Sequence, residues 1–258
     1  MSALTPGLVS ITFRKLSAQE VVDLVVKAGL QAIEWGGDIH APHGDITRAK
    51  EVRQQTLNAG LSVAAYGSYY RIGASEAKGL SFASVLDSAA ELGAPTIRAW
   101  AGEKGSDDTT APERSAIIDD ALRIAEMAQA HGVGVSLEYH ANTLTDKRES
   151  VQKLLGELSH PNLDFVWQPS NGEAADLCMA RLRDILPRVR QVHVFHWWPT
   201  GSDWRPLAEG EDRWPQYLEI IRSAGKPMPC LIEFVRDHSP EQFLQDAAVL
   251  RRWLSVAN

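Results

Sequence analysis

One phrase repeats along this chain and constrains its fold more than any other feature: a helical stretch, a stop of small residues and glycine, then a short apolar run. It is read in KAGLQAIEW, NAGLSVAAY, ELGAPTIRAW, AHGVGVSLEY and SAGKPMPCLIEF. The glycines of these phrases, Gly29, Gly60, Gly93, Gly132 and Gly225, fall where a helix needs a left-handed residue just past its end. The strands that follow end near Trp35, Tyr66, Trp100, Tyr139 and Val235. LVSITF near the N-terminus, LDFVWQ ending at Gln168 and VRQVHVFH ending at His196 supply three more. Helix starts are legible too. Ser17-x-x-Glu20 has the form of a capping box, and Ser239-Pro240-x-Gln242 combines an N-cap with proline at the first helical position. Within Pro112–His131, Ile117, Ile118, Ala121, Leu122, Ala125 and Ala128 make one apolar face. Eight strand–helix units in 258 residues predict a single-domain (β/α)8 TIM barrel over residues 1–258. A doubly wound open sheet would call for fewer strands and a glycine-rich first turn, and none follows LVSITF.

The strands carry a second pattern. One phase is aliphatic (Val9/Ile11, Val133/Val135/Leu137, Val192/Val194), which suits the strand–helix interface. The other is small or polar (Ser10/Thr12, Gly134/Ser136/Glu138, Asp164/Val166/Gln168, Gln191/His193) and is expected to face the barrel interior. Ionisable groups there are costly to bury unless they pair or bind a metal. The polar phase ends at the C-terminal mouth, where barrel enzymes hold their sites. Glu138, Gln168, His193 and Glu233 stand at corresponding ends of the last four strands. Neighbouring strands lie about 4.8 Å apart, so these side chains can converge on one ion. Two carboxylates, an amide oxygen and an imidazole favour a divalent ion, Mn²⁺ first, with Mg²⁺, Co²⁺ or Zn²⁺ as further fits. The competing reading pairs the two glutamates with Arg98 or Arg236 and makes His193 an ordinary core histidine.

With these residues in place, the chain resembles the xylose-isomerase-like TIM-barrel superfamily of sugar isomerases, epimerases, related dehydratases and apurinic endonucleases. The matching segments are GLQAIEW, SLEYHANTLTD, FVWQPSN, VHVFHWW, RPLAEGE and LIEF, in order along essentially the whole chain. The resemblance implies that Glu138, His193 and Glu233 are metal ligands and that the two glutamates move the proton. It also implies a substrate-binding role for Arg205 in RPLAEGE. The family usually has Asp at the ligand position of the sixth strand, often followed three residues later by His, where this chain has Gln168 and Asn171. Gln168 can ligate through its carbonyl oxygen, with one negative charge fewer. The endonuclease branch needs additional His and Asp ligands. Tyr66 and Asn171 supply none, which leaves His40 and His43 as the only hints of it.

These residues suit a metal-dependent sugar isomerase or epimerase working through an enediolate, with Glu138 and Glu233 as acid and base. Two alternatives stand beside it: a dehydratase of a keto-cyclitol or dehydroshikimate-like compound, and a non-catalytic carbohydrate-binding barrel. Six tryptophans, Trp35, Trp100, Trp167, Trp197, Trp198 and Trp204, fall at strand ends or in the loops after them and are expected to rim a sugar pocket, whereas Trp214 and Trp253 sit on helices. Trp35, His40, Trp100, His140, Asn171, His196, Trp198 and Arg205 are the candidate substrate contacts. Arg98 and Arg236 are expected to balance the carboxylates. No glycine-rich loop after the last strands announces a phosphate cradle, so an unphosphorylated sugar or cyclitol is expected.

Composition excludes several classes. A net charge of −7 opposes nucleic acid as a partner, and no apolar run is long enough to span a membrane. Cys178 and Cys230 lack the spacing of a zinc knuckle. Met1–Ser17 lacks the layout of a signal peptide, which makes the cytoplasm the expected location. Homo-oligomerisation stays open.

Overall fold

In a computed structural model of the chain, which describes residues 4–255, eight parallel strands close into a barrel. They are β1 (Leu4–Val9), β2 (Ala32–Gly36), β3 (Ser62–Arg71), β4 (Thr96–Trp100), β5 (Gly134–Glu138), β6 (Leu163–Trp167), β7 (Val189–Val194) and β10 (Met228–Ile232). Between β7 and β10 lies a small antiparallel hairpin, β8 (His196–Trp197) and β9 (Trp204–Arg205), that the sequence reading did not anticipate. Pairing of Leu4–Leu8 with Met228–Ile232 closes the ring. The surrounding helices are α1 (Ala18–Lys27), α2 (Ile46–Asn58), α3 (Phe82–Leu92), α4 (Ala111–Gln129), α5 (Arg148–Glu157), α6 (Ala175–Ile185), α7 (Trp214–Ser223) and α8 (Pro240–Ser255). The single-domain expectation over 1–258 extends past the described residues at both ends. Among the described residues, no helix is long and apolar enough to cross a membrane.

The local signals act as chemistry requires. All five glycines of the repeated phrase have φ between 67° and 74°, a region that a Cβ makes costly. Ser17 and Glu20 form a reciprocal capping box at the start of α1, and Ser239 Oγ accepts the Gln242 amide at 3.2 Å. On α4, Ile117, Ala121, Ala125 and Ala128 are buried, with Ile118 and Leu122 packed at the edge of the core.

Most of the core lies between strands and helices, and a second cluster of Val9, Ile11, Ala32, Ala64 and Leu231 fills the barrel interior. The expected strand over LVSITF ends at Val9, and Ser10–Phe13 forms a 3-10 turn. Leu8 packs in the core between strands and helices, while Val9 and, in that turn, Ile11 belong to the inner cluster, opposite to the expected phase. Small residues at Gly7, Ala32 and Ala64 leave interior space below the mouth, and a barrel is a packed core rather than a pore. In the later strands the expected phase holds: Ser136 bonds Thr96 inside the barrel, and Gln191 and His193 both face Glu34. Two predicted rim tryptophans are core residues. Trp35 and Trp167 adjoin the inward Glu34 and Gln168, so strand alternation sends them outward. Trp35 Nε1 donates to Thr56 Oγ1 on α2 at 3.1 Å, and Trp167 packs edge-on against Trp214 and Tyr217.

The loop following β9 is pinned from α8. Asp246 Oδ1 accepts the Leu207 amide at 2.8 Å and Gln242 Nε2 at 2.9 Å. Burial pushes the Asp246 carboxyl up to about 6, above its unfolded value, despite those hydrogen bonds. A raised folded pKa contributes stability that is complete below about 4 and is lost as pH rises through about 6. Asp246→Asn should remove that component. The difference in unfolding free energy between variant and wild type, from urea titrations at pH 4 to 8, should change by on the order of 3 kcal/mol across this window. A pH-independent difference would contradict the assignment.

Candidate active site

Strand register places a charged cluster at the barrel mouth. Arg98 on β4 lies between two carboxylates: its Nε donates to Glu34 Oε1 on β2 at 2.6 Å, and its Nη1 donates to Glu138 Oε2 at the end of β5. All three side chains are buried. Unpaired, each charge would cost several kcal/mol to desolvate, so the pairs must be made together. Glu34 Oε2 accepts from Gln191 Nε2 and lies 3.0 Å from His193 Nε2, while Trp100 Nε1 also donates to Glu138 Oε2. Burial works against the charge on Glu34, but Arg98 and His193 outweigh it and hold its pKa at about 2. Burial likewise opposes the Glu138 charge, and Arg98 and His193 pull its pKa down. Gly67 on β3 makes room for the cluster. A Cβ there would lie 2.6 Å from Glu34 Oε1 and 2.7 Å from Arg98 Nη2.

His193 is oriented from behind. With Nε2 toward Glu34, its Nδ1 has no hydrogen-bond partner and lies 3.4 Å from Glu233 Oε2 and 3.8 Å from Glu138 Oε1. One ligand atom each from Glu138, His193 and Glu233 lies within 4.8 Å of the others. Gln168 donates Nε2 to the Tyr139 carbonyl at 2.7 Å, which leaves its buried Oε1 without a partner. An imidazole nitrogen is thus left unpaired beside two carboxylates, and an amide oxygen is left unpaired on a residue lining the same cavity as both. That donor set fits a divalent cation. Charge agrees. Glu34, Glu138 and Glu233 against Arg98 leave a balance of −2 when His193 is neutral (three negative, one positive). Burial lowers the His193 pKa, but Glu233 and Glu34 outweigh it and lift it to about 10.

The cluster opens into a cavity of about 560 Å³. Of the predicted residues, Glu138, Gln168, Glu233, Trp100, His140 and Asn171 line it. The Trp100 and His140 rings pack in a tilted pair, with centroids 4.6 Å apart and planes 34° from parallel. The other predicted contacts lie elsewhere. His40 is held by Ser10 Oγ at 2.9 Å and the Leu16 carbonyl at 3.1 Å. His43 bonds Tyr66 at 2.8 Å, so both histidines of that loop have protein partners away from the cluster. His196 and Trp198 border a small adjoining crevice, where the Arg213 guanidinium lies 3.7 Å from the Trp198 ring centre. Arg205 is exposed on the hairpin and pairs with Glu209. Arg236 turns to Gln242 and Asp237, leaving Arg98 as the counter-ion. Trp197 reaches the cavity through a stack with Phe195 and Trp204. Arg14, Tyr69 and Arg181 also line the cavity, and the sequence reading had not singled them out. Tyr69 has φ 55° at a bulge in β3, a conformation without a composition signature.

The profile of the xylose isomerase-like TIM barrel family matches residues 22–253. The chain is 37% identical over 103 residues to a 3-dehydroshikimate dehydratase of Bacillus anthracis, a match covering 38% of this chain and only 35% of that relative's length. A probable 3-DHS dehydratase of Bacillus anthracis, involved in petrobactin synthesis, has a crystal structure matching with TM-score 0.79 and 22% identity, covering 97% of this chain and 99% of that one. The apo 3-keto-D-glucoside 4-epimerase of E. coli matches with TM-score 0.74 and 16% identity, over 96% and 99% of the two chains. At these identities the structural likeness is one of fold.

The close approach at Gly67 is testable. Gly67→Ala should separate Glu34 from Arg98 and cost about 1–3 kcal/mol, read as a lower melting temperature in thermal denaturation. An unchanged melting temperature would mean that the cluster does not need that space.

Proposed function

Because this chain belongs to the xylose isomerase-like TIM-barrel family, we propose that it is a metal-dependent dehydratase of a 3-dehydroshikimate-like keto-cyclitol. One observation carries the reading: the two mouth glutamates are not equivalent. Glu138 has Oε2 occupied by Arg98 and Trp100 and Oε1 3.8 Å from His193 Nδ1, where it would serve as a ligand, so both oxygens are committed. Glu233 has Oε2 near His193, and among the described residues no donor reaches its other oxygen. Inverting a carbon centre calls for a proton donor on each face. Syn elimination calls for one carboxylate, which takes the proton beside the ketone and passes it to the departing hydroxyl. The sequence match to a 3-dehydroshikimate dehydratase supports the same choice.

Glu138, Gln168, His193 and Glu233 would hold the ion, Mn²⁺ before Mg²⁺, Co²⁺ or Zn²⁺. A divalent ion there would polarise a ketone and its neighbouring hydroxyl and stabilise the oxyanion formed when the intervening C–H is lost. Glu233 removes that proton. Arg98 and Trp100 keep Glu138 charged and fixed, and Glu34 keeps the His193 imidazole turned so that Nδ1 lies toward Glu138 and Glu233. Loss of water from 3-dehydroshikimate followed by tautomerisation leaves 3,4-dihydroxybenzoate. Glu138 is then a ligand alone, without the acid/base role expected of it beside Glu233. The second reading, a ketose isomerase or epimerase, is favoured by the two carboxylates flanking the same imidazole nitrogen at 3.4 and 3.8 Å.

The test is incubation of the Mn²⁺-loaded protein with 3-dehydroshikimate, following the absorbance of the aromatic product. Glu233→Gln should lower the rate by about 10²–10⁴-fold at any metal concentration. Glu138→Gln should lose activity that excess Mn²⁺ partly restores. Absence of product, together with deuterium uptake from D₂O beside the carbonyl of a ketose, would overturn the dehydratase reading in favour of the epimerase one.

A further inference from the structure

The cavity holds three guanidinium groups, and they differ in what they can offer a ligand. Arg98 is committed to Glu34 and Glu138, and its unpaired Nη2 is shielded from solvent. Arg181 is buried against Glu173 at 2.7 Å, Ser170 Oγ at 2.8 Å and the Asp146 carbonyl at 3.0 Å. An anion arriving there would meet the carboxylates of Glu173 and Asp146, which line the same wall. Arg14 stands at the rim with its side chain 42% exposed. Its Nη1 donates to Asp38, and its Nη2 donates to the Tyr69 hydroxyl at 2.8 Å.

Tyr69 is set up for contact with a ligand. Its left-handed backbone, at the bulge between Gly67 and Tyr70, lays the ring over the apolar plug of the barrel. The ring meets Trp100 edge-on at 5.3 Å and lies 5.2 Å from the Arg98 guanidinium carbon, so it joins the rim to the charged cluster. A non-glycine residue held in this conformation marks a position that the surroundings impose. Because the hydroxyl accepts from Arg14, its own proton is left to donate. Burial raises the Tyr69 pKa to about 12, so that proton stays in place. Asp38 steadies the guanidinium from the solvent side. Two donors, one of them charged, therefore stand together at one end of the cavity, a pattern suited to the two oxygens of a carboxylate.

We propose that Arg14 and Tyr69 form a carboxylate-recognition end of the cavity, selecting ring acids over neutral ketoses. The assignment rests on the dehydratase reading, in which substrate and product both carry a ring carboxylate, and it makes Arg14 a specificity-determining residue rather than a catalytic one.

Calorimetric titration of the Mn²⁺-loaded protein with 3,4-dihydroxybenzoate and with catechol, which lacks only the carboxylate, separates the possibilities. Wild type should prefer the acid by about tenfold or more, as expected for a charge-assisted contact. Arg14→Gln should abolish most of that preference and leave catechol affinity within about twofold, and Arg14→Lys should keep part of it. Asp38→Asn, which frees Arg14 of its counter-charge, should increase the preference. A preference unchanged in Arg14→Gln would overturn the assignment. An Arg14-dependent preference in a protein that does not dehydrate 3-dehydroshikimate would support the carboxylate end and overturn the proposed reaction alone. Binding of neither compound to wild type would overturn both.

Discussion

The rest of the site depends on one buried arginine. Arg98 is clamped between Glu34 and Glu138, and each ion pair would be a liability without the other. With Arg98 in place, Glu34 remains an anion inside the barrel and can orient His193, while Glu138 remains an anion at the mouth with one oxygen turned inward. Remove the guanidinium and three carboxylates would face one imidazole across a few ångströms. Protonation would then blunt the ligand set before any ion arrived. Gly67 is the steric counterpart of this electrostatic requirement, since a single methyl group there would collide with both partners of the inner pair.

The barrel explains why such a cluster can exist. Below it, Val9, Ile11, Ala32, Ala64 and Leu231 exclude water from the interior, and above it the cavity gives access to small molecules. Low polarity beneath strengthens every charge pair, and strand pairing holds the side chains at one level. Between these layers, Gln191 and Glu34 fix His193 from behind, so the orientation of the ring is set before a ligand enters.

Much of this was legible in the residues. Gly29, Gly60, Gly93, Gly132 and Gly225 mark helix ends because L side chains avoid the backbone that they adopt. Period-two alternation in the later strands brought Glu138, Gln168, His193 and Glu233 to one end, since side-chain direction in a paired strand is nearly fixed. The same alternation, carried one residue on from the inward Glu34 to Trp35, would have moved that indole to the core. Phase failed at the first strand because β1 ends at Val9 and Ser10–Phe13 winds into a 3-10 turn, so period two does not run on to Thr12, and Val9 and Ile11 pack inside against the small Ala32 and Ala64. Tyr69 and the β8–β9 hairpin were illegible for a different reason. A bulge and a two-residue ladder arise from tertiary context, as do the contacts of His40 with Ser10 and the Leu16 carbonyl.

Gln168 gives this account its sharpest consequence. With a neutral amide at that position, the cluster carries a balance of −2, the complement of one divalent ion; an aspartate would bring it to −3. The most direct measurement is titration of metal-free protein with Mn²⁺, following free ion by electron paramagnetic resonance. The account predicts one ion per chain, tighter binding in Gln168→Asp and binding lost in His193→Ala. Binding unaffected by His193→Ala, or weakened in Gln168→Asp, would contradict it.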